Sequence, residues 1–233
     1  MTDNISLSVP RHLGIILDGN RRYAREHGMT SLQGHQKGYD NLKSILEIGF
    51  ERGIEYISGY VFSTENWNRT TEEVTYLMDL MLWVFKNELK QIHKKGVRIL
   101  WLGSTDKLGE KHLRAIRDAV ELTKNNKKGT FCLCLNYGGQ QEIVDAAKKV
   151  IEQGVHAEDL TIDMFEKNLY EPEVPPIDML VRSSGEHRIS NFMLWRAAYS
   201  ELLFVDKYWP EFTPEDIDMI INEYSQRQRR FGT

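Results

Sequence analysis

Short apolar runs alternate with longer amphipathic segments along this chain of 233 residues, and this alternation constrains the fold more than any other feature. The runs are rich in Ile, Leu, Val, Phe and Tyr and are bounded by polar residues, which is typical of strands buried on both faces. The strands predicted in this way are 13–17, 55–62, 97–103, 130–136, 178–182 and 201–205.

Helices are predicted for most of the segments between these strands. Apolar residues recur at helical spacing in 71–95, where Thr70 or Thr71 can cap the first turn and where Glu72 and Glu73 suit its positive end. The other predicted helices are 36–52, 108–124, 140–153, 162–169 and 213–230. Strands that alternate with helices predict an α/β fold with a parallel sheet covered by helices, and residues 1–233 are expected to form a single domain.

Composition and charge argue against two classes of protein. Lys and Arg number 30 against 34 Asp and Glu, for a net charge of −4, whereas nucleic-acid binders more often carry a basic excess. The first residues do not read as a signal peptide, and no apolar stretch approaches the ~20 residues that span a bilayer. Cys132 and Cys134 lie two apart on a predicted strand, where we expect them to pack. We therefore expect a cytoplasmic protein without a nucleic-acid partner, which could work at a membrane surface.

Three predicted strands run directly into polar loops. We call 18–22 the first loop, 63–69 the second loop and 182–191 the third loop. Ligands of parallel sheets bind beyond the carboxyl ends of the strands, so the three loops are expected to converge. Each loop alone also fits a simpler interpretation: a capped turn, a loop around a packed Trp, or a surface loop with charge pairs. Together their arginines and carboxylates are typical of a site for an anion with a divalent cation, most simply a diphosphate with Mg²⁺.

Familiar nucleotide and phosphatase motifs do not account for these loops. The sequence contains neither G-x-x-x-x-G-K-[ST] nor G-x-G-x-x-G. A haloacid-dehalogenase-like phosphatase is disfavoured because Asn20 stands where a second carboxylate would follow Asp18. Glu201 opens an otherwise apolar strand and is interpreted either as a metal ligand or as an edge residue.

A set of motifs resembles the cis-prenyltransferase family, to which the undecaprenyl diphosphate synthases belong. The segments are HLGIILDGNRRYA, GHQKG, VFSTENWNR, LNYGG, RSSGEHRISNFMLWRAAYSEL and WPEF, and the resemblance runs in order from residue 12 to residue 232. It implies a six-stranded, mainly parallel sheet surrounded by helices, with an apolar tunnel beside it. Val74, Leu77, Met78, Met81 and Phe85 would either line that tunnel or simply pack the helix on the sheet.

The resemblance also implies a reaction. Isopentenyl diphosphate would condense with an allylic prenyl diphosphate, such as farnesyl diphosphate, to form a cis polyprenyl diphosphate and release diphosphate. The enzyme would be a Mg²⁺-dependent homodimer that delivers its product to a membrane. Its tail, 227–233, would lie at the dimer interface, and residues 1–11 are expected to be flexible.

Residue roles follow from the same resemblance. Asp18 resembles an essential aspartate that positions Mg²⁺ and assists diphosphate departure, and Asn66 is a candidate for helping proton removal. Glu201 resembles a metal-linked glutamate of the family, and His187 resembles a metal contact of some members. The residues implied in substrate binding are Gly19, Asn20, Arg21, Arg22, Tyr23, His35, Ser63, Thr64, Glu65, Trp67, Arg69, Arg182, Arg188, Ile189, Ser190 and Arg230.

One position departs from the family pattern. Ser31 stands where the family usually carries an arginine that contacts the diphosphate, and Arg25 is the nearby residue that could replace it. An alternative to the enzyme is a non-catalytic subunit that supports a catalytic partner. Such subunits lose the aspartate and arginines, whereas this chain keeps Asp18, Arg182, Arg188 and Glu201, which favours the enzyme.

Overall fold

The fold, seen in a computed structural model that describes residues 8–227, is built on one six-stranded sheet. Its strands lie in the order β3-β4-β2-β1-β5-β6, and every neighbouring pair is parallel. The strand bounds are β1 His12–Ile16, β2 Tyr56–Ser63, β3 Val97–Leu102, β4 Gly129–Tyr137, β5 Met179–Arg182 and β6 Glu201–Phe204. The predicted α/β architecture with a six-stranded parallel sheet is therefore confirmed.

Eight helices are found in the described part of the chain. They are α1 Asn20–Glu26, α2 Ser31–Glu51, α3 Thr71–Asn87, α4 Leu89–Lys94, α5 Glu110–Thr123, α6 Gly139–Glu152, α7 Ile162–Glu166 and α8 Pro214–Gln226. A short 3-10 helix, Thr64–Asn68, forms most of the second loop. None of the helices between residues 8 and 227 is long and apolar enough to cross a membrane.

Three helix predictions differ from the structure. The helix α1 was not predicted, since it is short and highly charged. Helix α2 begins before residue 36 because Thr30 and Gln33 form a reciprocal capping box at its start. The predicted helix 71–95 is two helices that meet at Glu88, where φ is −113°. No glycine or proline marks this break; both carboxylate oxygens of Glu88 lie 3.1 Å from Nζ of Lys43 on α2.

Alternate residues of the strands enter two cores, one on each face of the sheet. Ile15, Phe131 and Leu133 belong to the larger core, which includes buried residues of α2, α3, α5 and α8. Cys132 and Cys134, both fully buried, belong to the smaller core on the opposite face. Residues two apart on a strand share a face, which explains this division.

An elongated apolar cavity lies on the side of the larger core, between the sheet and the helices α2, α3 and α4. Its volume is about 490 Å³. It borders α2 from His35 to Glu47, a length of about 18 Å from the rise of an α-helix. Leu77, Met78, Met81 and Phe85 line it as expected, together with Val61 of β2 and Leu133 of β4. Val74 instead packs against the core.

Candidate active site

The first and third loops meet at the carboxyl edge of the sheet because β1 and β5 are neighbours. Nη2 of Arg182 lies 2.9 Å from Oδ2 of Asp18, and the backbone N–H of Asp18 donates to Oγ of Ser183 at 2.9 Å. The strand β2 flanks β1 on its other side, so the second loop leaves the same edge. The predicted convergence of the loops therefore follows from the strand order.

Gly19 makes the sharp turn that points Asp18 into this edge. Its φ is +104°, in the region that favours glycine, and a Cβ atom there would lie 2.8 Å from Cδ1 of Tyr208. The N–H of Gly19 donates to Oδ1 of Asp18 at 2.7 Å. Both carboxylate oxygens of Asp18 are thus held in place, one by the turn and one by Arg182.

Arg182 is the buried centre of the third loop, with 6% of its side chain exposed. Besides its bond to Asp18, its Nη1 donates to the carbonyl oxygen of Arg188 at 2.6 Å and to Oγ of Ser190 at 2.7 Å. One guanidinium therefore connects the aspartate that follows β1 to Arg188 and Ser190, two of the predicted substrate residues that follow β5.

Arg22 links the first turn of α1 to the same loop. It contacts both the carbonyl oxygen and Oγ of Ser184, and it lies 3.3 Å from Oδ2 of Asp18. Glu186 pairs with Arg22 at 3.2 Å and with the exposed Arg188 at 2.5 Å. The two arginines thus carry counterions in the ligand-free protein, and a more highly charged anion could compete for them.

The electrostatics of Asp18 favour its ionised form. Half-burial tends to raise the pKa of this carboxyl, but the hydrogen bond and charge of Arg182, the Gly19 amide and Arg22 outweigh burial, so the pKa lies below its usual value. Asp18 is therefore an anion at neutral pH. With 29% of its side chain exposed, it is accessible to a cation.

Within the second loop, Asn66 and Arg69 line the apolar cavity. Oδ1 of Asn66 accepts from the N–H of Ser63 at 3.1 Å, which closes the 3-10 turn. The indole of Trp67 packs edge-on against Phe62, with ring centroids 5.1 Å apart, and its Nε1–H donates to Oδ1 of Asn136. A substrate contact of Ser63, Thr64, Glu65 or Trp67 remains a prediction.

Sequence reasoning missed Glu73 as a member of this site. The sequence predicts only an acidic residue at the start of a helix. In the structure Glu73 is 7% exposed and lies 3.0 Å from Nε2 of His35, 2.9 Å from Arg69 and 3.7 Å from Arg21. The spacing of four residues from Arg69 is the signal that could have revealed the pair. Burial, with Arg69 and Arg21 nearby, lowers the pKa of His35 despite the raising effect of Glu73.

A polar cavity of about 770 Å³ lies over these residues. Its lining includes Arg25 and Ser31, so the position that departs from the family pattern does face the site. The members of its lining are Leu17, Asp18, Gly19, Asn20, Arg21, Arg22, Arg25, Met29, Thr30, Ser31, His35 and Arg69. Leu17, Asn20, His35 and Arg69 line the apolar cavity as well, so the polar cavity borders directly on the apolar one.

The predicted metal-linked residues Glu201 and His187 contact other side chains in this structure. Glu201 opens β6 and pairs in register with Met179, three residues before Arg182 at the carboxyl edge, a distance of about 10 Å along the strand. Its carboxylate accepts from Arg227 at 2.9 Å. His187 stacks on Phe204 with ring centroids 5.0 Å apart. Their metal ligation stays a prediction, and residues 8–227 contain no cluster of three or more His, Cys, Asp or Glu suited to a metal.

Two further predicted residues, Tyr23 and Ile189, contact other side chains. Tyr23 stacks on His27 at 4.1 Å between ring centroids. Ile189 packs against the smaller core. Arg230 lies outside the described residues.

Known proteins resemble this chain over nearly its whole length. A family model described as "Putative undecaprenyl diphosphate synthase" matches residues 16–232. An isoprenyl transferase of Rickettsia felis is 46% identical over 222 residues, covering 95% of this chain and 94% of the relative. "Isoprenyl transferase 2" of Corynebacterium efficiens is 42% identical over 229 residues, covering 97% and 94%.

Solved structures agree with these sequence relatives. Lavandulyl diphosphate synthase from Lavandula x intermedia, in complex with dimethylallyl diphosphate, superposes with a TM-score of 0.92 at 33% identity, covering 97% of this chain and 99% of the other. A "probable undecaprenyl diphosphate synthase" from Campylobacter jejuni superposes with a TM-score of 0.82 at 29% identity, covering 97% and 100%. The chain is therefore a prenyltransferase and belongs to the undecaprenyl diphosphate synthase family.

Proposed function

We propose that this enzyme condenses isopentenyl diphosphate with an allylic prenyl diphosphate, such as farnesyl diphosphate, to give a cis polyprenyl diphosphate and free diphosphate. One observation carries the proposal: a cavity rich in arginines borders directly on an elongated apolar cavity. An allylic diphosphate has the same two halves, an anion and a hydrocarbon tail. The lavandulyl enzyme of the same fold holds dimethylallyl diphosphate, which is also an allylic diphosphate.

The residues of the polar cavity suit the charge that the reaction develops. When the allylic C–O bond breaks, the leaving diphosphate gains negative charge, which Arg21, Arg22 and Arg69 are placed to stabilise. The double bond of isopentenyl diphosphate then attacks the allylic carbon, and a proton leaves the new intermediate. Asn66 lines the apolar cavity together with Arg69, which borders both cavities, and is our candidate for assisting that proton loss. In this proposal Arg182, Arg188 and Ser190 support the second diphosphate.

The site also fits Mg²⁺, on the chemistry of its donors. Mg²⁺ is usually held by one or two carboxylates together with substrate phosphates and water, not by a cage of protein ligands. Asp18 is ionised and partly exposed among the arginines, and it is the residue that would hold the ion. When bound, Mg²⁺ would neutralise charge on the departing diphosphate. Glu201 opens β6 at the opposite edge of the sheet, so its part in holding the ion would require a rearrangement of the chain or a second subunit.

The wider biology is also a proposal. We propose a homodimer with the tail 227–233 at its interface, where Arg230 closes the neighbouring site, and a cytoplasmic enzyme that passes its lipid product to a membrane. The two buried thiols, Cys132 and Cys134, are free and fit a reducing compartment.

The direct test is a condensation assay with the purified protein. Isotopically labelled isopentenyl diphosphate, farnesyl diphosphate and Mg²⁺ should give labelled lipid, and NMR of the new double bonds should show Z geometry. Products with E double bonds would contradict the cis assignment. A protein that is inactive alone but active with a second subunit would support the non-catalytic alternative.

We expect Ser31→Arg to lower the apparent KM for the allylic substrate by roughly 10-fold. The new guanidinium would face the polar cavity, where a charge-assisted bond to phosphate contributes about 1.5–3 kcal/mol. Initial rates at varied farnesyl diphosphate measure the effect. Thr75→Arg, which adds the same charge at an exposed position of α3, serves as control. An unchanged KM in Ser31→Arg would mean that another cation, such as Arg25, already fills this role.

A further inference from the structure

The LNYGG segment has no role in the site as described so far, although it forms the end of β4 and the turn after it, at the carboxyl edge of the sheet. Its Asn136 is 2% exposed and has a φ of +53°, a left-handed conformation that few residues other than glycine adopt. A buried polar residue in an unfavourable backbone conformation needs compensation from its side chain or its surroundings.

The side-chain amide of Asn136 supplies that compensation. Its Nδ2 donates to the carbonyl oxygens of Ser104 at 2.8 Å and of Asp106 at 2.6 Å, and its Oδ1 accepts from Nε1 of Trp67 at 2.7 Å. Two carbonyls on one side and an indole N–H on the other can be met only by an amide in this orientation. An aspartate of the same shape would place a carboxylate oxygen against both carbonyl oxygens, which repel it. A glycine would adopt this backbone conformation readily but would leave all three groups without their partner.

Trp67 connects this amide to the second loop. Its ring packs edge-on against the buried Phe62, and its N–H is held by Asn136, so both the position and the rotation of the indole are fixed. Trp67 follows Asn66 directly and precedes Arg69 by two residues. Anchoring the indole therefore restrains the stretch of backbone from which Asn66 and Arg69 extend.

The next residues of the segment contact both neighbouring loops. A Cβ atom on Gly138 would lie 2.6 Å from Oγ1 of Thr64, and one on Gly139 would lie 3.0 Å from the carbonyl oxygen of Asn191. Asn191 in turn donates to Glu65 at 2.9 Å and accepts from the N–H of Gln140 at 2.8 Å. The β4–α6 turn is thus packed between the second and third loops.

We propose that Asn136 is a positioning residue for prenyl transfer: by holding Trp67, it fixes the second loop so that Asn66 and Arg69 face the substrate. This inference rests on the proposed function of the cavities. Asn136 itself touches no substrate in this proposal. Its contribution is geometric, and displacements of about 1 Å at a reacting site can cost up to roughly 100-fold in rate.

The test is a double-mutant cycle on Asn136→Gly and Trp67→Phe. Asn136→Gly keeps the left-handed backbone accessible and removes the amide, whereas Trp67→Phe keeps an aromatic ring against Phe62 and removes the N–H. We expect each single variant to raise the KM for a diphosphate substrate and to lower kcat/KM by about 10- to 100-fold. The double variant should be no worse than the worse single variant, because both changes break the same hydrogen bond.

Asn168→Ala is the matched control. Asn168 is 8% exposed and bonds to Gln153 and to the carbonyl oxygen of Met164, away from the cavities. We expect it to lower the melting temperature while leaving KM unchanged, which is the signature of a purely structural residue. If Asn136→Gly behaves in the same way, the positioning role is overturned.

The remaining outcomes are equally decisive. Should Asn136→Gly fail to fold, Trp67→Phe alone decides, and an unchanged KM in that variant overturns the inference. Additive effects in the double variant would mean that Trp67 contacts substrate independently of Asn136, which also overturns it. An inactive wild type would overturn the proposed function and this inference with it, whereas an active wild type with unchanged KM in the variants overturns this inference alone.

Discussion

Replacing Asp18 by asparagine should lower turnover by at least about 100-fold, because one preorganised electrostatic group at a reacting centre typically contributes that much. The amide keeps an oxygen that can accept from the N–H of Gly19, so the turn that presents the residue is retained. What disappears is the negative charge beside Arg182 and Arg22. The measurement is kcat at saturating isopentenyl and farnesyl diphosphates.

The structure also predicts a cost in stability for Asp18→Asn. Arg182 is buried and loses its counterion, although Arg188 and Ser190 still accept from it. We expect the free energy of unfolding in urea to fall by about 1–2 kcal/mol, the scale of a charged hydrogen bond at a partly exposed site. Activity must therefore be compared at a temperature where both proteins are fully folded.

Asp145→Asn is the control for this substitution. Asp145 on α6 has 22% of its side chain exposed and accepts from Gln141 at 2.9 Å and from Tyr170, remote from the polar cavity. We expect a similar loss of stability and unchanged turnover. Equal turnover in Asp18→Asn and wild type would refute the role of Asp18 in leaving-group departure.

The convergence of the three loops was predictable, but their exact neighbours were not. Periodicity showed that polar residues follow the strands, and the rule for parallel sheets placed them at one edge. Which loops touch depends on the strand order, in which β1 lies between β2 and β5, and no local pattern specifies that order. The contact of Arg182 with Asp18, 164 residues apart, arises from it.

Glu73 and Glu88 show why local patterns fail at acidic residues in helices. A glutamate near a helix start is ordinarily a solvated partner of the helix dipole, and one within a helix is an ordinary exposed residue. Here α2 packs across α3 and brings His35 to Glu73 and Lys43 to Glu88. These contacts join residues about 40 positions apart, so they cannot be read from any short window.

Glu201 illustrates a prediction that strand direction already limits. A residue that opens a strand of a parallel sheet lies at the amino edge, opposite the ligand-binding edge. The resemblance to a metal-linked glutamate conflicts with this rule, and the metal role of Glu201 stays a prediction. In the structure Glu201 pairs with Arg227, at the end of the described chain, rather than with Asp18.

Removal of Mg²⁺ should abolish condensation while leaving the protein folded. Because the described residues form no metal cage of their own, the ion would be bound jointly by Asp18 and the substrate diphosphate. We expect excess chelator to lower the rate by at least about 100-fold, because the charge on the departing diphosphate is then no longer neutralised. Added Mg²⁺ should restore the rate. The melting temperature of the ligand-free protein should not change with chelator.

Joint binding also predicts how Mg²⁺ and diphosphate together change the melting temperature of the protein. Mg²⁺ alone should leave the melting temperature of the wild type unchanged, whereas Mg²⁺ with inorganic diphosphate should raise it, since only the ternary complex stabilises the folded state. Asp18→Asn should lose most of the increase that Mg²⁺ adds to diphosphate, and Asp145→Asn should keep it. Stabilisation by Mg²⁺ without diphosphate would indicate a preformed site and contradict joint binding. Full activity in chelator would contradict a Mg²⁺-dependent reaction. It would mean that the arginines of the polar cavity alone stabilise the charge on the leaving diphosphate.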